Sequence, residues 1–116
     1  MNFPASHRYA RISAKKVRPT ANLIRGLDVN RALNLLSVDQ TRGGFLMAKV
    51  LRSAVANAGQ NDAVDVNNLY VRDCRVDEGP LLNGRIRYRP ASMGRSMPIR
   101  RRTSHLKIVL SEREAG

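Results

Sequence analysis

Seven arginines, Arg85, Arg87, Arg89, Arg95, Arg100, Arg101 and Arg102, stand between Gly79 and Leu106 with no carboxylate among them. A guanidinium is a planar fork that grips two phosphate oxygens at once and stacks on bases, so this density of arginine is polyanion-binding chemistry. Nothing inside the segment neutralises it, and the charge calls for an external partner. Other reactive groupings are poorer. Asp77 and Glu78 adjoin in a stretch of strand character, where neighbours point to opposite faces, so the two carboxylates cannot address one substrate. The same alternation parts Ser104 from His105, and no Asp follows to orient the imidazole. His7 sits among basic residues without a second ligand for zinc. These readings predict no catalytic residue, no metal and no cofactor.

The arginines must be carried by something other than a core of their own. Between them lie small and turn-forming residues (Asn83, Gly84, Pro90, Ala91, Ser92, Gly94, Pro98), too little apolar surface to bury the segment. On either side, residues 69–76 and 106–110 are rich in Leu, Ile, Val and Tyr, the composition of strands. The pattern predicts a long antiparallel hairpin projecting from a small domain. With about eight to ten residues of each arm beyond the core, at ~3.3 Å per residue, its tip would stand about 30 Å out.

Charge along the rest of the chain is just as uneven. Residues 1–27 carry Arg8, Arg11, Lys15, Lys16, Arg18 and Arg25 and no acid, a net +6, whereas residues 28–78 come to −1 and residues 79–116 to +7. The two ends are composed to bind and the middle to fold. The 116-residue chain has a net charge of +12, and 17 of its 21 basic residues are Arg, which favours nucleic acid over a membrane surface. It is 42% hydrophobic but lacks Trp, so aliphatic helix faces must build one modest core. Cys74 is the one cysteine, without an internal disulfide partner, and no apolar run approaches a membrane span, so the reading is a mature cytoplasmic chain.

A short strand is expected over residues 3–12, with Tyr9 and Ile12 as its better apolar side chains. Ser13 is placed to cap a helix whose Ala14, Val17, Ala21 and Ile24 fall on one face and which Gly26 ends. An interior proline removes one backbone bond at a cost of roughly 3 kcal/mol, so this helix either kinks at Pro19 or restarts there after a separate turn. A second helix begins near Asn30, buries Ala32, Leu33 and Leu36, and ends near Ser37. The third, capped by Asp39 or Thr41, runs to about Ala58 with Met47, Leu51, Ala54, Val55 and Ala58 inside, while Gly43 and Gly44 let a neighbour come close. Residues 59–68 read as a loop and 111–116 as a frayed tail. The fold class is α+β: three helices packed on a small antiparallel sheet, with a long basic β-hairpin projecting from the body. A single domain spans 1–116, its body being 1–78 with 103–116 and its extended hairpin 79–102.

Four blocks carry a resemblance: ARISAKKVRPTANLIRG (10–26), KVLRSAVANAGQND (49–62), VDEGP (76–80) and GRSMPIRRRTSH (94–105). In that order, and over essentially the whole chain, they resemble the bacterial large-subunit ribosomal protein L twenty-two family, the last block most specifically. The resemblance implies a structural protein of the large ribosomal subunit, not an enzyme, with large-subunit ribosomal RNA and neighbouring ribosomal proteins as partners. It also implies a part in early subunit assembly and a hairpin that threads through RNA to line the nascent-peptide exit tunnel, where changes are linked to macrolide antibiotics. Two places depart from the family pattern. LLNGRIRYR, between Pro80 and Pro90, runs about three residues longer, so tip contacts do not transfer residue by residue, and Pro19 replaces a usual aliphatic residue.

Charge and resemblance together assign RNA contacts to Arg8, Arg11, Lys15, Lys16, Arg18, Arg25, Arg85, Arg87, Tyr88, Arg89, Arg95, Arg100, Arg101, Arg102, Ser104 and His105. The tunnel-facing tip is assigned to Arg85, Arg87, Arg89, Pro90, Ala91, Ser92 and Met93, with the nascent peptide as its partner. Plainer readings stand beside these: a solvated basic loop for the hairpin arginines, an ordinary exposed helix face for Lys15, Lys16 and Arg18, and a core position for Tyr70. Asp77 and Glu78 are expected to pair with Arg72, Arg75 or an arginine of the returning strand. The free chain is expected to be a monomer with no membrane partner. The rival from another class is a non-ribosomal, DNA-compacting basic protein, which usually needs a dimer and an apolar wedge at its arm tip.

Overall fold

The computed structural model describes residues 2–61, 64–81, 87–90, 96–99 and 102–112, and of residues 81, 87–90 and 96–99 the backbone alone. The chain runs β1 (Asn2–Ala10), α1 (Ala14–Ile24), α2 (Val29–Val38), α3 (Arg42–Gly59), a 3-10 turn (Val66–Asn68), β2 (Leu69–Leu81), β3 (Arg87–Pro90), β4 (Ser96–Ile99) and β5 (Arg102–Glu112). β5 is the centre of a three-stranded antiparallel sheet ordered β1-β5-β2, and β3 and β4 form a second antiparallel ladder. This is the expected α+β architecture.

Alternation along the strands decides which face of the sheet is covered. Phe3, Leu110 and Val71 lie in one row, and Leu106 and Val76 in another; all are buried, as are Ile108 and Cys74 between them. The intervening Pro4, Ser6, Lys107, Arg75 and Asp77 are exposed. One sheet face therefore packs on the helices and the other stays open, as antiparallel sheets permit. Facing the covered side, α3 buries Met47, Ala48, Val50, Leu51, Ala54 and Ala58, and α1 buries Ala14, Val17, Ala21 and Ile24. Each large aliphatic side chain so buried contributes about 1.5–3 kcal/mol.

The start of α3 packs on its neighbours through two missing side chains, one against α1 and one against the end of α2. A Cβ on Gly43 would sit 3.3 Å from the Lys16 carbonyl oxygen and 3.4 Å from Val17 Cα, so the helices meet backbone to backbone. One on Gly44 would sit 2.6 Å from the Asp39 carboxylate. Thr41 is the cap of α3, its hydroxyl accepting from Gly44 N–H at 3.0 Å. Asp39 braces that cap by accepting from Thr41 N–H at 2.9 Å and from the Thr20 hydroxyl at 3.4 Å.

Several boundaries differ from expectation. β1 ends at Ala10 rather than residue 12, and Tyr9 is 56% exposed instead of apolar strand filling. Ile12 is buried but lies past the strand, its N–H bonded back to the Ala10 carbonyl. Ser13 occupies the N-cap position of α1 without a side-chain cap bond, and Pro19 sits inside one continuous helix. α2 starts one residue before Asn30, with Asp28 at its cap and the Asp28 carbonyl accepting from Ala32 N–H, and it runs on to Val38. Ser111 and Glu112 belong to β5, in register with Asn2 and Leu69, so the tail is paired that far; residues 113–116 lie outside the described residues.

The hairpin grows out of the sheet. β1 last pairs at Ala10↔Ser104, β2 and β5 continue to Leu81↔Arg102, and β3 with β4 resumes from Arg87↔Ile99 to Pro90↔Ser96. Between those two ladders the outgoing arm holds residues 82–86 and the returning arm 100–101, so the arms differ by three residues before β3 begins. The radius of gyration is 17.5 Å, against about 13 Å for a compact chain of this size, and the principal extents are 67 × 25 × 18 Å.

Candidate nucleic-acid interface

Burying Ala14, Val17 and Ala21 turns Lys15, Lys16 and Arg18 outward, and all three are exposed. No acid stands in the first turn of α1, and the Ser13 hydroxyl caps none of its amides, so that helix end keeps its positive character. It faces a concavity of about 520 Å³ at the root of the hairpin, lined by Ser13, Ala14 and Lys15 on one side and by Glu78, Gly79, Pro80, Arg102 and Thr103 on the other. A shallower groove of about 250 Å³ runs between α1 and β2, past Arg18, Asn22, Arg25, Arg75 and Asp77. Cations outnumber carboxylates along both.

Arg25 is exposed but not idle: its guanidinium donates to Asn22 Oδ1 at 2.9 Å and to the Cys74 carbonyl, clamping the end of α1 to β2. Beneath it Cys74 is fully buried against Met47, with Sγ and Sδ 3.7 Å apart. Burial pushes its thiol up to about 12, the Arg25 charge opposing only in part, so Cys74 is packing and not a nucleophile.

At the other side of the hairpin root, the β1–β5 register slips between His7 and Ala10, so Arg8 and Tyr9 together oppose the single residue His105. Tyr9 takes φ 59°, in the left-handed region. Its N–H donates to His105 Nδ1 at 3.0 Å, and the two rings meet edge to face with centroids 4.8 Å apart and planes at 89°. The Arg8 guanidinium lies 5.8 Å from the Tyr9 ring centroid. On its far side His105 lies over Gly79, where an added Cβ would come within 3.3 Å of the imidazole and 2.5 Å of Thr103 Oγ1. The glycine of VDEGP makes room for the histidine of RTSH.

Of the residues assigned to RNA, Arg8, Arg11, Lys15, Lys16, Arg18 and Arg102 are exposed around this root, and Arg25 is exposed but clamped. His105 is half-buried and engaged with Tyr9. Ser104 is a correction: its side chain is fully buried and its Oγ has no hydrogen-bond partner among the described residues, because residues 104, 106, 108 and 110 of β5 all turn to the core. Of the arginines expected to pair with Asp77 and Glu78, Arg75 instead pairs with Asp73 at 2.7 Å and Arg72 donates to Asn2, while Arg100 and Arg101 of the returning strand lie outside the described residues; by register Asp77 stands opposite His105 and Glu78 opposite Ser104. Tyr70 is half-buried rather than core. Arg85, Arg95, Arg100, Arg101, Ala91, Ser92 and Met93 lie outside the described residues, and Arg87, Tyr88, Arg89 and Pro90 are known by their β3 backbone. Sequence reasoning missed Tyr9; its signal was an aromatic ring set between Arg8 and Arg11.

A one-faced sheet whose exposed cations gather at the root of an arginine-rich hairpin defines a basic nucleic-acid-binding domain. The family model described as Ribosomal protein L22p/L17e matches residues 5–111 of this chain. The large ribosomal subunit protein uL22 of Bdellovibrio bacteriovorus is 42% identical over 113 residues, covering 97% of this chain and all of that protein. The chain belongs to the ribosomal protein L22p/L17e family. It is thereby a structural ribosomal protein and not an enzyme.

Proposed function

We propose that this chain is a structural constituent of the large ribosomal subunit, working in the cytoplasm, that holds large-subunit ribosomal RNA with its two basic ends. The observation that carries this reading is the convergence of exposed cations from β1, α1 and β5 on the hairpin root of a chain matching its family over residues 5–111. Phosphates displace counterions from these side chains, which drives association and makes it salt-dependent. Base edges are hidden in A-form helices, so RNA shape and several separate backbone contacts supply the specificity. Neighbouring large-subunit proteins complete its surroundings, and the DNA-compacting alternative yields to the family membership.

The finer part of the proposal concerns the hairpin. Residues 79–102 thread between RNA helices and help early assembly, and Arg85, Arg87, Arg89, Pro90, Ala91, Ser92 and Met93 face the nascent peptide in the exit tunnel. The free protein is a monomer whose body, residues 1–78 with 103–116, is a single unit. Support comes from the β2–β5 ladder outrunning β1 and from the further ladder of β3 with β4. A photoreactive residue in place of Met93, in particles stalled during synthesis, is expected to cross-link to the nascent chain. Cross-links to RNA alone would remove the tunnel-facing assignment while leaving RNA binding intact.

A further inference from the structure

An aromatic residue with φ near 59° is a rare conformation, because a bulky side chain crowds its own backbone there. Such a backbone persists where its surroundings over-determine it, and it gathers at functional positions. Tyr9 is over-determined from two directions: the bulge forces two residues opposite His105, and His105 both accepts from the Tyr9 N–H and meets its ring in a T-shaped contact. The outcome is an exposed Tyr9, 56% accessible as a residue, beside an Ala10 that is fully buried. A strand without the bulge would have used the register to turn this residue one way or the other; here it is braced and left open.

We propose that Tyr9 is a base-stacking residue: its ring, presented by the bulge and braced by His105, receives an unpaired nucleobase of ribosomal RNA. This rests on the RNA-binding reading and deepens it by naming a residue and the part of the RNA it takes. Stacking on an aromatic face is how single-stranded bases are held without regard to their edges. The neighbouring charges fit a nucleotide rather than an apolar protein surface. Arg8 lies at the outer limit of cation–π distance, close enough to shift to a phosphate as a base takes the ring. Arg11 follows two residues on, and no acid occurs in residues 1–27. The nearest carboxylate by register, Asp77, is across His105 on β2, away from the Tyr9 side.

Two variants of the full chain test this. Tyr9→Gly removes the ring and relaxes the left-handed backbone, so it is expected to fold with stability equal to or above the parent while its affinity for large-subunit ribosomal RNA falls about five- to hundredfold. Its affinity for a fully paired RNA duplex of equal length is expected to stay unchanged. Tyr9→Trp introduces the sole tryptophan, and its emission is expected to be quenched on adding ribosomal RNA at near-parental affinity. Parent-like binding by Tyr9→Gly, an equal loss on duplex RNA, or an unquenched Tyr9→Trp complex overturns the assignment. A parent chain that binds no ribosomal RNA overturns the functional reading itself, whereas a parent that binds alongside an unaffected Tyr9→Gly variant overturns the stacking role alone.

Discussion

Ser104 puts a hydroxyl in a row otherwise built from Leu106, Ile108 and Leu110, with no partner for its Oγ among the described residues. Burying an unpaired hydroxyl costs on the order of 1–3 kcal/mol, so Ser104→Ala is expected to raise stability by about 1 kcal/mol and the melting temperature by about 4 °C. A lowered melting temperature would show that the hydroxyl has a partner. Cys74 gives a second residue-scale prediction: with its thiol pushed up to about 12 by burial, it should resist a thiol reagent at pH 8 in the native chain and react fully in denaturant. Rapid native labelling would contradict the packing. Alternation along a strand parts Ser104 from His105 on paper, and β5 turns the first inward and leaves the second half-buried beside Tyr9. Which one faced the core depended on the strand register, with bulges at Val71/Asp73 and at His7/Ala10, and that is set by pairing rather than by composition. The bulge that exposes Tyr9 was hidden for the same reason, although the aromatic ring among arginines was not.

At the scale of elements, the junction of α1 with α3 concentrates its constraints on Asp39, Thr41 and Gly44. Thr41 holds the Asp39 carboxyl below its ordinary range, first through its backbone N–H and then through its hydroxyl, with burial opposing. A depressed folded-state value means a stabilising contribution present above the unfolded carboxyl pKa and lost as pH falls through the folded one. Asp39→Asn should therefore be less stable than the parent at neutral pH and lose less as the pH falls below about 4, so that the two converge in acid. An acid limb identical to the parent's would place that proton elsewhere. Gly44→Ala drives a Cβ into the same carboxylate, and despite the better helix propensity of Ala it should cost about 1–2 kcal/mol. Denaturant midpoints decide it, and a gain in stability would mean Asp39 moves aside freely.

The helices themselves were legible because apolar residues recur at three and four, and burial of Val17, Ile24, Met47 and Leu51 follows that period. Their ends were less so: the second helix reads from sequence as starting near Asn30, whereas the Ala32 N–H to Asp28 carbonyl bond places its cap two residues earlier. Pro19 is tolerated within α1 because it stands on the exposed side with Lys15, where water can serve the carbonyl that proline leaves unpaired.

Over the whole molecule, an uneven charge distribution matches a division of labour: a near-neutral middle supplies α2, α3 and most of β2, and basic ends supply β1, α1 and β5, whose exposed cations surround the hairpin root. That division was visible in the sequence, because charge and turn residues are local properties. A length departure from the family between Pro80 and Pro90 was visible in the sequence, but that the two arms differ by three residues before Arg87 required the registers on both sides. Neutralising Lys15, Lys16 and Arg18 together should shallow the dependence of binding on salt by roughly two units of log K per log salt, at about 0.7 to 0.9 for each phosphate left unneutralised. An unchanged slope would leave α1 as an ordinary solvated helix face.

The most direct test of RNA binding by body and hairpin together is a titration, at two salt concentrations, of the intact chain and of one whose residues 81–97 are replaced by a short turn. Each is offered large-subunit ribosomal RNA and a scrambled RNA of equal length. The intact chain is expected to prefer ribosomal RNA, and the shortened chain to keep much of that preference with a shallower salt slope, the body specifying and the hairpin adding phosphate contacts. Equal binding of both RNAs by the intact chain would contradict that division.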